Sequence, residues 1–312
     1  MFLNGLPAPA VYGDTFPVEH KTVAVDGIKL FYREAGPREA PVILLLHGFP
    51  SSSRMFTLLF PLLSSGCRLI APDFPGFGHS DAPSVKDFSY TFDHLADCVG
   101  KLLGQLNIGR YTLYLQDYGG PVGFRLATAH PERVTALVIQ NAVVHREGLS
   151  EAWAVRKAFW LDRAAHEETI RHALLSVEGA RQRHLAGAAR PERIDPDTWS
   201  DEFAFLTRPG MAEIQLDLVF DYQSNVVAYP QWQAYLRDHH PPTLVVWGKN
   251  DPLFTVAGAM AFGREVPDAE IHLLNAGHFA LDEEAPAIAA LMHRFLGAGL
   301  SGRRPMITND GA

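Results

Sequence analysis

The chain has 312 residues, of which 47% are hydrophobic and 20% are charged, and its formal net charge is −8 at pH 7. This length can bury one large core together with an insertion, and an acidic balance without charged blocks argues against nucleic acid as a partner. Two cysteines, Cys67 and Cys98, are too few for a disulfide framework, and no apolar run approaches the ~20 residues that span a bilayer.

The N-terminal region, residues 1–20, is predicted to be an extended arm. Its first residues lack the basic stretch and the long apolar core of a signal peptide, so we expect a cytoplasmic protein whose thiols stay reduced. Residues 21–25 and 28–33 then alternate between apolar and polar around Asp26 and Gly27. This pattern predicts a β-hairpin with a type I′ turn.

A continuous apolar run at residues 41–46 is typical of a strand that is buried on both faces of a parallel sheet. Similar short runs recur and alternate with helical patterns, in which apolar residues repeat every three or four positions. This alternation predicts an α/β fold with a mostly parallel, doubly wound sheet. The further predicted strands are 67–71, 111–115, 134–140, 243–247 and 270–274, and the predicted helices are 54–63, 90–106, 121–130, 256–264 and one that ends near residue 296.

The alternation stops between residues 143 and 240. This segment is rich in helix formers, arginine, histidine and aromatic residues, and it contains no convincing buried strand. We therefore predict a helical cap at 143–240, inserted into a core that is made of residues 21–142 and 241–298. Residues 299–312 are predicted to be a frayed tail.

One helical pattern in the predicted cap places a tyrosine toward whatever the cap covers. In residues 211–225, Ile214, Leu218 and Tyr222 fall on one face of a helix, while acidic residues fall on the next face. The phenol of Tyr222 is therefore expected to point the same way as the apolar stripe.

Residues 115–120, Leu-Gln-Asp-Tyr-Gly-Gly, join a predicted strand to a predicted helix. A sharp turn between strand and helix is the context of a nucleophile elbow, whose usual sequence G-x-S-x-G places a serine on a strained turn. Asp117 occupies the position of that serine, and Gly119 and Gly120 leave room where helix and strand nearly touch. The alternative is that Asp117 is an ordinary helix N-cap.

Four reactive side chains directly follow predicted strands: His47, Asp117, Asp251 and His278. Ligands bind to open α/β sheets outside the carboxyl ends of the strands, so this placement brings the four residues to one edge. Alternatively, Asp251 is a turn residue before Pro252, and His278 is a helix cap or a satisfied core histidine.

The order nucleophile, acid, histidine and five short motifs carry a resemblance to a known family. The motifs are H-G-F-P at 47–50, G-F-G-H-S at 76–80, the elbow, W-G-K-N-D at 247–251 and G-H-F at 277–279. Together they resemble the α/β-hydrolase superfamily, in the branch of epoxide hydrolases and haloalkane dehalogenases, over about residues 21–297. The resemblance implies the α/β-hydrolase fold, with an eight-stranded, mostly parallel sheet, helices on both faces and an inserted helical cap.

An aspartate nucleophile limits the reaction. Its carboxylate is already ionised at pH 7, and it can displace a leaving group at a saturated carbon to give an alkyl ester. His278, oriented by Asp251, is then expected to be the general base for ester hydrolysis. By the resemblance, the backbone N–H groups of Phe49 and Tyr118 hold the oxyanion. A small apolar organic substrate and water are the expected partners, with no cofactor and no metal.

Epoxide hydrolysis to a diol is the function that we predict, with Tyr222 as the acid that protonates the ring oxygen. Its partner is left open between Tyr229 and His145. Haloalkane dehalogenases resembling this chain carry tryptophan after the nucleophile, whereas Tyr118 stands at that position. Epoxide hydrolases also commonly carry tryptophan there, so Tyr118 does not decide between the two. Haloalkane dehalogenase remains the alternative, because Trp160 falls where dehalogenases of the haloacid type place a tryptophan that binds halide.

Further substrate contacts are expected from Trp153 in the cap and from His47 and Pro50 in the turn that carries Phe49, where His47 is a turn former. Specificity for haloacids is not expected, because the elbow helix has no arginine in its first turn. A non-catalytic small-molecule binding protein of the same fold is the third alternative, and retention of all three triad residues argues against it. Nothing in the sequence indicates an oligomeric state.

Overall fold

The computed structural model of the chain describes residues 16–301. A hairpin begins this part: β1 (Glu19–Val25) and β2 (Ile28–Ala35) pair in antiparallel fashion. Asp26 and Gly27 connect them with φ angles of 49° and 82°. Both values are in the left-handed region that a type I′ turn requires, so the predicted hairpin is confirmed.

Eight strands form one sheet in the order β1-β2-β4-β3-β5-β6-β7-β8. The hairpin joins its edge through an antiparallel pair between β2 and β4, and all later neighbours pair in parallel. The predicted eight-stranded, mostly parallel sheet is thus confirmed. The remaining strands are β3 (Val42–Leu46), β4 (Arg68–Pro72), β5 (Tyr111–Gln116), β6 (Val134–Gln140), β7 (Thr243–Gly248) and β8 (Glu270–Leu274).

Within the described residues the chain also forms ten α-helices and five short 3₁₀ helices. The α-helices are α1 (Phe60–Leu63), α2 (Phe92–Gln105), α3 (Gly119–Ala129), α4 (Ala154–Leu161), α5 (Arg163–Leu174), α6 (Val177–Leu185), α7 (Asp197–Leu206), α8 (Met211–His239), α9 (Val256–Glu265) and α10 (Ala280–Ser301). The 3₁₀ helices are Ser53–Phe56, Pro131–Arg133, Arg146–Gly148, Glu151–Trp153 and Pro191–Arg193.

The central strands are mostly apolar because both faces of the sheet are covered. Alternate residues of one strand enter different cores: Leu113 and Leu115 pack with α2, α3 and α9 on one face, whereas Tyr114 packs with α1 and α10 on the other. Successive side chains of a strand point to opposite faces, so a strand covered on both faces needs apolar residues at every position.

Two predicted helices differ from the structure. The predicted helix 54–63 is a 3₁₀ turn followed by the short α1, because Pro61 cannot donate the hydrogen bond that a continuous helix needs and is tolerated only in a first turn. The predicted pattern 211–225 is the first half of α8, which continues for 29 residues through Pro230. Packing of its apolar face offsets the loss of one backbone hydrogen bond.

Helices α4 to α8 lie between β6 and β7 in the chain, and we keep the proposal that residues 143–240 form a cap on a core of 21–142 and 241–298. Residues 1–15 of the predicted arm lie outside the described residues, and Glu19 and His20 already belong to β1. The predicted tail overlaps α10, which extends to Ser301, and its last residues also lie outside the described part. No helix within that part has both the length and the apolar character that crossing a bilayer requires.

Candidate active site

Asp117 sits on a turn between β5 and α3 with a φ angle of 46°, in the left-handed region where a non-glycine residue is strained. The turn is tight because α3 begins against β3. A Cβ atom on Gly119 would lie 2.0 Å from the carbonyl oxygen of Leu46, so only glycine allows the helix to start there. The turn therefore presents the Asp117 carboxylate at the carboxyl edge of the sheet.

The two oxygens of the Asp117 carboxylate have different surroundings. Oδ1 accepts hydrogen bonds from the backbone N–H groups of Phe49, at 2.9 Å, and Tyr118, at 2.7 Å. Oδ2 lies 3.7 Å from Nε2 of His278, outside hydrogen-bond range. Because no backbone N–H group inside α3 is bonded to this side chain, the helix-cap alternative does not describe its contacts.

The loop after β3 supplies one of these N–H donors. A Cβ atom on Gly48 would lie 2.4 Å from Cβ of Asp117, so the loop can approach the carboxylate only with glycine at this position. His47 is fully buried behind the loop, where its Nδ1–H donates to the carbonyl of Gly48 at 3.0 Å and its Nε2 accepts from the N–H of Phe74 at 3.1 Å. Pro50 follows Phe49 through a cis peptide bond. Neither His47 nor Pro50 reaches the cavity wall described below.

His278 follows β8 and is oriented through its other ring nitrogen. Its Nδ1–H donates to Oδ2 of Asp251 at 2.7 Å. The same carboxylate accepts from Nδ2 of Asn141 at 2.8 Å and from the N–H of Leu253 at 2.7 Å. Three donors thus hold the carboxylate of Asp251 in place, and this carboxylate in turn orients the imidazole.

Two amide side chains that the sequence interpretation did not include complete these contacts. Asn141 has a φ angle of 42°. Its side-chain Oδ1 accepts from the N–H of Gly248 at 2.9 Å, and its backbone carbonyl accepts from the N–H of Asp117 at 3.2 Å. Gln116 Nε2 lies 2.9 Å from Nε2 of His278. Both residues lie at or next to the end of a strand, and this position is the only sequence signal that could have marked them as part of the site.

Burial and charge shift the pKa values of the reactive pair in the same direction. Burial raises the pKa of Asp117, although His278 and the two backbone N–H groups oppose this effect. Burial lowers the pKa of His278, but the charge of Asp251 and its hydrogen bond outweigh that effect, and the net pKa is raised.

A closed cavity of about 20 Å³ lies beside Asp117, which is room for about one water molecule. A larger cavity of about 290 Å³ reaches His278 from between α4, α5 and α6. Arg156, Leu174, Arg183 and Leu253 line both cavities and therefore separate them. The inner cavity is lined by those four residues and by Phe49, Asp117, Tyr118, Trp153, Val219 and Tyr222.

Tyr222 of α8 contributes to the inner cavity from inside an aromatic cluster. Its ring centroid lies 4.5 Å from that of Trp153, 5.6 Å from that of Phe92 and 5.9 Å from that of Tyr118. Burial, and then the neighbouring Tyr229 and Asp117, raise the pKa of Tyr222 well above its ordinary value. Its hydroxyl is therefore protonated at neutral pH and is available as a donor.

Three other predicted contact residues lie apart from the inner cavity wall. His145 Nε2 is 2.8 Å from Oε1 of Glu265 on α9, and this pairing holds its ring against the core. Tyr229 is buried on α8 seven residues after Tyr222, and its hydroxyl interacts with that of Tyr222. The indole N–H of Trp160 donates to the carbonyl of Val219 at 2.7 Å, so it is not free to bind a halide.

Trp153 does line the inner cavity, but its indole N–H donates to the carbonyl of Leu253 at 3.1 Å, so it contributes an aromatic face and no free donor. The cavity wall also includes Arg156 and Arg183, which the sequence interpretation did not single out. Arginines are common on solvated helices, and no local pattern distinguishes these two from the other arginines of α4 to α8. Within residues 16–301, no group of three or more His, Cys, Asp or Glu side chains is placed to hold a metal ion.

Comparison with known proteins agrees with this arrangement. The family described as alpha/beta hydrolase fold matches residues 41–285. An uncharacterized hydrolase of Saccharomyces cerevisiae is 41% identical over 274 residues, which cover 86% of this chain and 94% of that protein. A haloalkane dehalogenase of Psychrobacter cryohalolentis is 37% identical over 289 residues, which cover 86% of this chain and 88% of that protein.

Solved structures show the same fold. The crystal structure of the haloalkane dehalogenase DbeA from Bradyrhizobium elkani aligns with a TM-score of 0.77 at 24% identity, over 92% of this chain and 100% of that chain. The family match covers most of the chain, and the two relatives exceed one third identity over nearly their whole lengths. The chain is therefore a hydrolase that belongs to the alpha/beta hydrolase fold family, in the branch of haloalkane dehalogenases and epoxide hydrolases.

Proposed function

We propose that the protein opens an epoxide to a vicinal diol through a covalent ester on Asp117. In the first half-reaction, Oδ2 attacks a carbon of the ring, a C–O bond of the epoxide breaks, and the ring oxygen takes a proton from Tyr222. The observation that carries the proposal is the unequal pair of carboxylate oxygens, with Oδ1 bound by two N–H groups and Oδ2 facing His278 at 3.7 Å.

In the second half-reaction, water attacks Cγ of the Asp117 ester and gives a proton to Nε2 of His278. Negative charge develops on Oδ1, where the N–H groups of Phe49 and Tyr118 already donate at 2.9 and 2.7 Å. Each such donor is typically worth about 2.7–4 kcal/mol of the barrier. The bond between Cγ and Oδ2 then breaks and the diol leaves with a proton from His278. The second proton of the water leaves the restored Asp117 carboxyl and returns through solvent to Tyr222.

The tyrosine and tryptophan side chains at the cavity favour an epoxide over a halide. A leaving alkoxide needs an acid, and the protonated hydroxyl of Tyr222 belongs to a cavity-lining residue. A leaving halide needs N–H donors, but the indoles of Trp153 and Trp160 already donate to backbone carbonyls. The side chains of Phe49 and Tyr118 carry no N–H group either.

Haloalkane dehalogenation is the second candidate. The 37% identity with a haloalkane dehalogenase supports it, and the same nucleophile, base and oxyanion donors would serve. The two candidates share every step except the fate of the leaving group. Product analysis with one epoxide and one bromoalkane of similar size separates them, because the first yields a diol and the second yields bromide.

The covalent step is tested with water labelled with ¹⁸O and enzyme in excess over styrene oxide. We expect the first diol formed to be unlabelled, because its new oxygen comes from Oδ2, while ¹⁸O enters the Asp117 carboxylate. Direct attack of water on the epoxide would instead label the diol in the first turnover and leave the carboxylate unlabelled, which would overturn the mechanism.

A second experiment uses the His278→Gln variant. Incubation with styrene oxide should give a stable adduct on the peptide that contains Asp117, detected by mass spectrometry, whereas His272→Gln on the edge strand β8 should turn over and show none. If neither epoxides nor bromoalkanes leave an adduct on His278→Gln, the protein is better described as a non-catalytic small-molecule binder.

A further inference from the structure

Two guanidinium groups stand together in the wall between the inner and outer cavities. Arg156 comes from α4 and Arg183 from α6, and both residues line both cavities. The nearest aromatic surfaces hold them in place: the guanidinium carbon of Arg156 lies 5.0 Å from the ring centroid of Trp153, and that of Arg183 lies 4.7 Å from the centroid of Phe49. Two cationic groups are therefore placed beside the nucleophile.

These two side chains have N–H donors that are not used in hydrogen bonds. Nη1 of Arg156 donates to the carbonyl of Ala152 at 3.3 Å, and Nη2 of Arg183 donates to the carbonyl of Leu174 at 2.8 Å. Nη1 of Arg183 is fully enclosed and has no hydrogen-bond partner within residues 16–301. An enclosed N–H donor of a charged group without an acceptor is unfavourable, and such a donor is usually matched by a ligand or water.

Neither guanidinium forms an ion pair among residues 16–301, although the charge of Asp117 acts on both and that of Glu202 acts on Arg183. The hydrogen bonds of both guanidiniums go to neutral carbonyls, in contrast to Arg163 of the neighbouring α5, whose guanidinium pairs with Asp217 at 2.7 Å. Burial, and then the like charge of Arg156, lower the pKa of Arg183 to about 10. The site therefore favours an additional negative charge between the two guanidiniums.

We propose that Arg156 and Arg183 form an anion subsite that takes the carboxylate of a small organic acid, so that the substrate carries its reactive carbon on a monocarboxylate. Planar guanidiniums bind carboxylates through paired N–H donors, which suits the fork of Arg183. The carboxylate would lie at the junction of the two cavities and the reactive carbon at Oδ2 of Asp117. This inference rests on the proposed function, because it assigns the substrate class of the same site.

The subsite is tested by binding, with probes that cannot react. Butyrate and its uncharged analogue butyramide are titrated into the wild-type protein by calorimetry. We expect butyrate to bind more tightly than butyramide, by about tenfold to a hundredfold, as expected for hydrogen bonds to a charged group. Equal affinities would overturn the proposal without reference to any variant.

Variants then assign the binding to the two arginines. Arg183→Gln and Arg156→Gln should each remove most of the preference for butyrate, whereas Arg181→Gln and Lys157→Gln, exposed neighbours on the same two helices, should keep it. A preference that survives in both cavity variants would contradict the subsite. Bromide is titrated as a further probe, and tighter binding of bromide than of butyrate would mean that the pair holds a leaving halide.

The covalent test separates this inference from the proposed function. If His278→Gln forms the Asp117 adduct with neutral styrene oxide but wild type does not prefer butyrate, the mechanism stands and the carboxylate subsite is wrong. If butyrate is preferred but no epoxide or bromoalkane, with or without a carboxylate, alkylates Asp117, the proposed function fails, and with it the assignment of a substrate class.

Discussion

The Nε2 atom of His278 lies 3.7 Å from Oδ2 of Asp117, close enough for one intervening water and too far for a direct hydrogen bond. A direct bond would engage the oxygen that has to attack carbon and the nitrogen that has to accept a proton from water. The separation leaves Oδ2 available for attack, whereas Nε2 of His278 also lies 2.9 Å from Nε2 of Gln116, a contact that water has to replace before hydrolysis. The two steps therefore use different atoms and are separable by pH and by mutation.

The two half-reactions should respond differently to acid. The pKa of His278 is raised above the ordinary histidine value of about 6.5. At any pH below this raised pKa the imidazole is mostly protonated and cannot act as a base. Burial raises the pKa of Asp117 as well, but attack of its carboxylate on the substrate needs no general base, so the imidazole limits only the hydrolysis step. At about pH 5.5 we therefore expect ester to accumulate, visible as a burst in rapid-quench mass spectrometry. A parallel decline of both steps would contradict this assignment.

Asn141→Ala should slow ester hydrolysis more than ester formation. The change removes the Nδ2 donor to Asp251 and leaves the N–H of Gly248 without its acceptor. We expect hydrolysis to fall about tenfold or more and the free energy of unfolding to fall by about 1–3 kcal/mol.

The comparison variant is Asn275→Ala, whose exposed side chain only accepts from Asn250 at 3.1 Å. It should leave both quantities almost unchanged. An equal loss of ester formation and hydrolysis in Asn141→Ala would argue against a positioning role for this residue.

Tyr222→Phe should separate epoxides from bromoalkanes. Loss of the acid should slow alkylation by an epoxide by about 10²–10⁴-fold, whereas displacement of bromide needs no proton and should change less than about tenfold. Single-turnover rates with the two reagents measure the split. Tyr235→Phe, a buried tyrosine on the same helix that contacts His239, is the matched control. Equal slowing with both reagents would mean that Tyr222 shapes the cavity and does not supply a proton.

His184→Gln should destabilise the protein in a way that depends on pH. His184 of α6 lies between Glu202 of α7, at 2.9 Å, and Asp282 of α10, at 2.7 Å. Burial opposes its charge, but the two carboxylates raise the pKa of His184 to about 10. Removing the cation at pH 7 should cost about 3–5 kcal/mol, because two buried carboxylates lose their partner.

The sign follows from the raised pKa. The contribution of His184 is fully present below the pKa of an unfolded histidine, about 6.5, and it is lost as the pH rises through about 10. Urea titrations at several pH values should therefore show the wild type and His184→Gln converging as the pH rises. The exposed His172→Gln on α5 should unfold like the wild type throughout, and a constant gap for His184→Gln would refute the ionic explanation.

Gly119→Ala tests the tight turn itself. Its new Cβ would lie 2.0 Å from the carbonyl oxygen of Leu46, so α3 must shift and the free energy of unfolding should fall by about 1–3 kcal/mol. Gly104→Ala, where a Cβ meets no atom within 4 Å in α2, should instead stabilise by about 0.5–1 kcal/mol. Thermal unfolding of both variants is the measurement. If Gly119→Ala leaves the free energy of unfolding unchanged, the turn can accommodate a side chain without strain.

The sequence predicted the sheet better than the helices around it. Strands β6 and β8 were predicted with the bounds that the structure has. For β6 the reason is that a run covered on both faces is mostly apolar. β8 is a half-exposed edge strand, and the loop residues that begin at Asn275 mark its end. The length of α8 was not predictable from local pattern, since Pro230 reads as a helix end while tertiary packing carries the helix through it.

The candidate site also contains one part that the sequence predicts and another that it does not. Asp117, Asp251 and His278 follow strands, so topology alone brings them to one edge, and their roles remain predictions. Hydrogen-bond partners such as Val219 for Trp160 and Glu265 for His145 depend on contacts between elements that are distant in the chain. The positions of Arg156 and Arg183 depend on how α4 and α6 pack, and single-sequence periodicity carries no information about that.

The wall that Arg156 and Arg183 share between the two cavities has a mechanical consequence. A cavity of about 20 Å³ is smaller than a molecule with several carbon atoms, so binding of such a substrate requires the inner cavity to widen. The side chains that have to move apart belong to separate helices, and their motion displaces solvent. If this opening of the cavity limits turnover, turnover should slow in viscous media such as concentrated sucrose. The chemical steps themselves should not respond to viscosity.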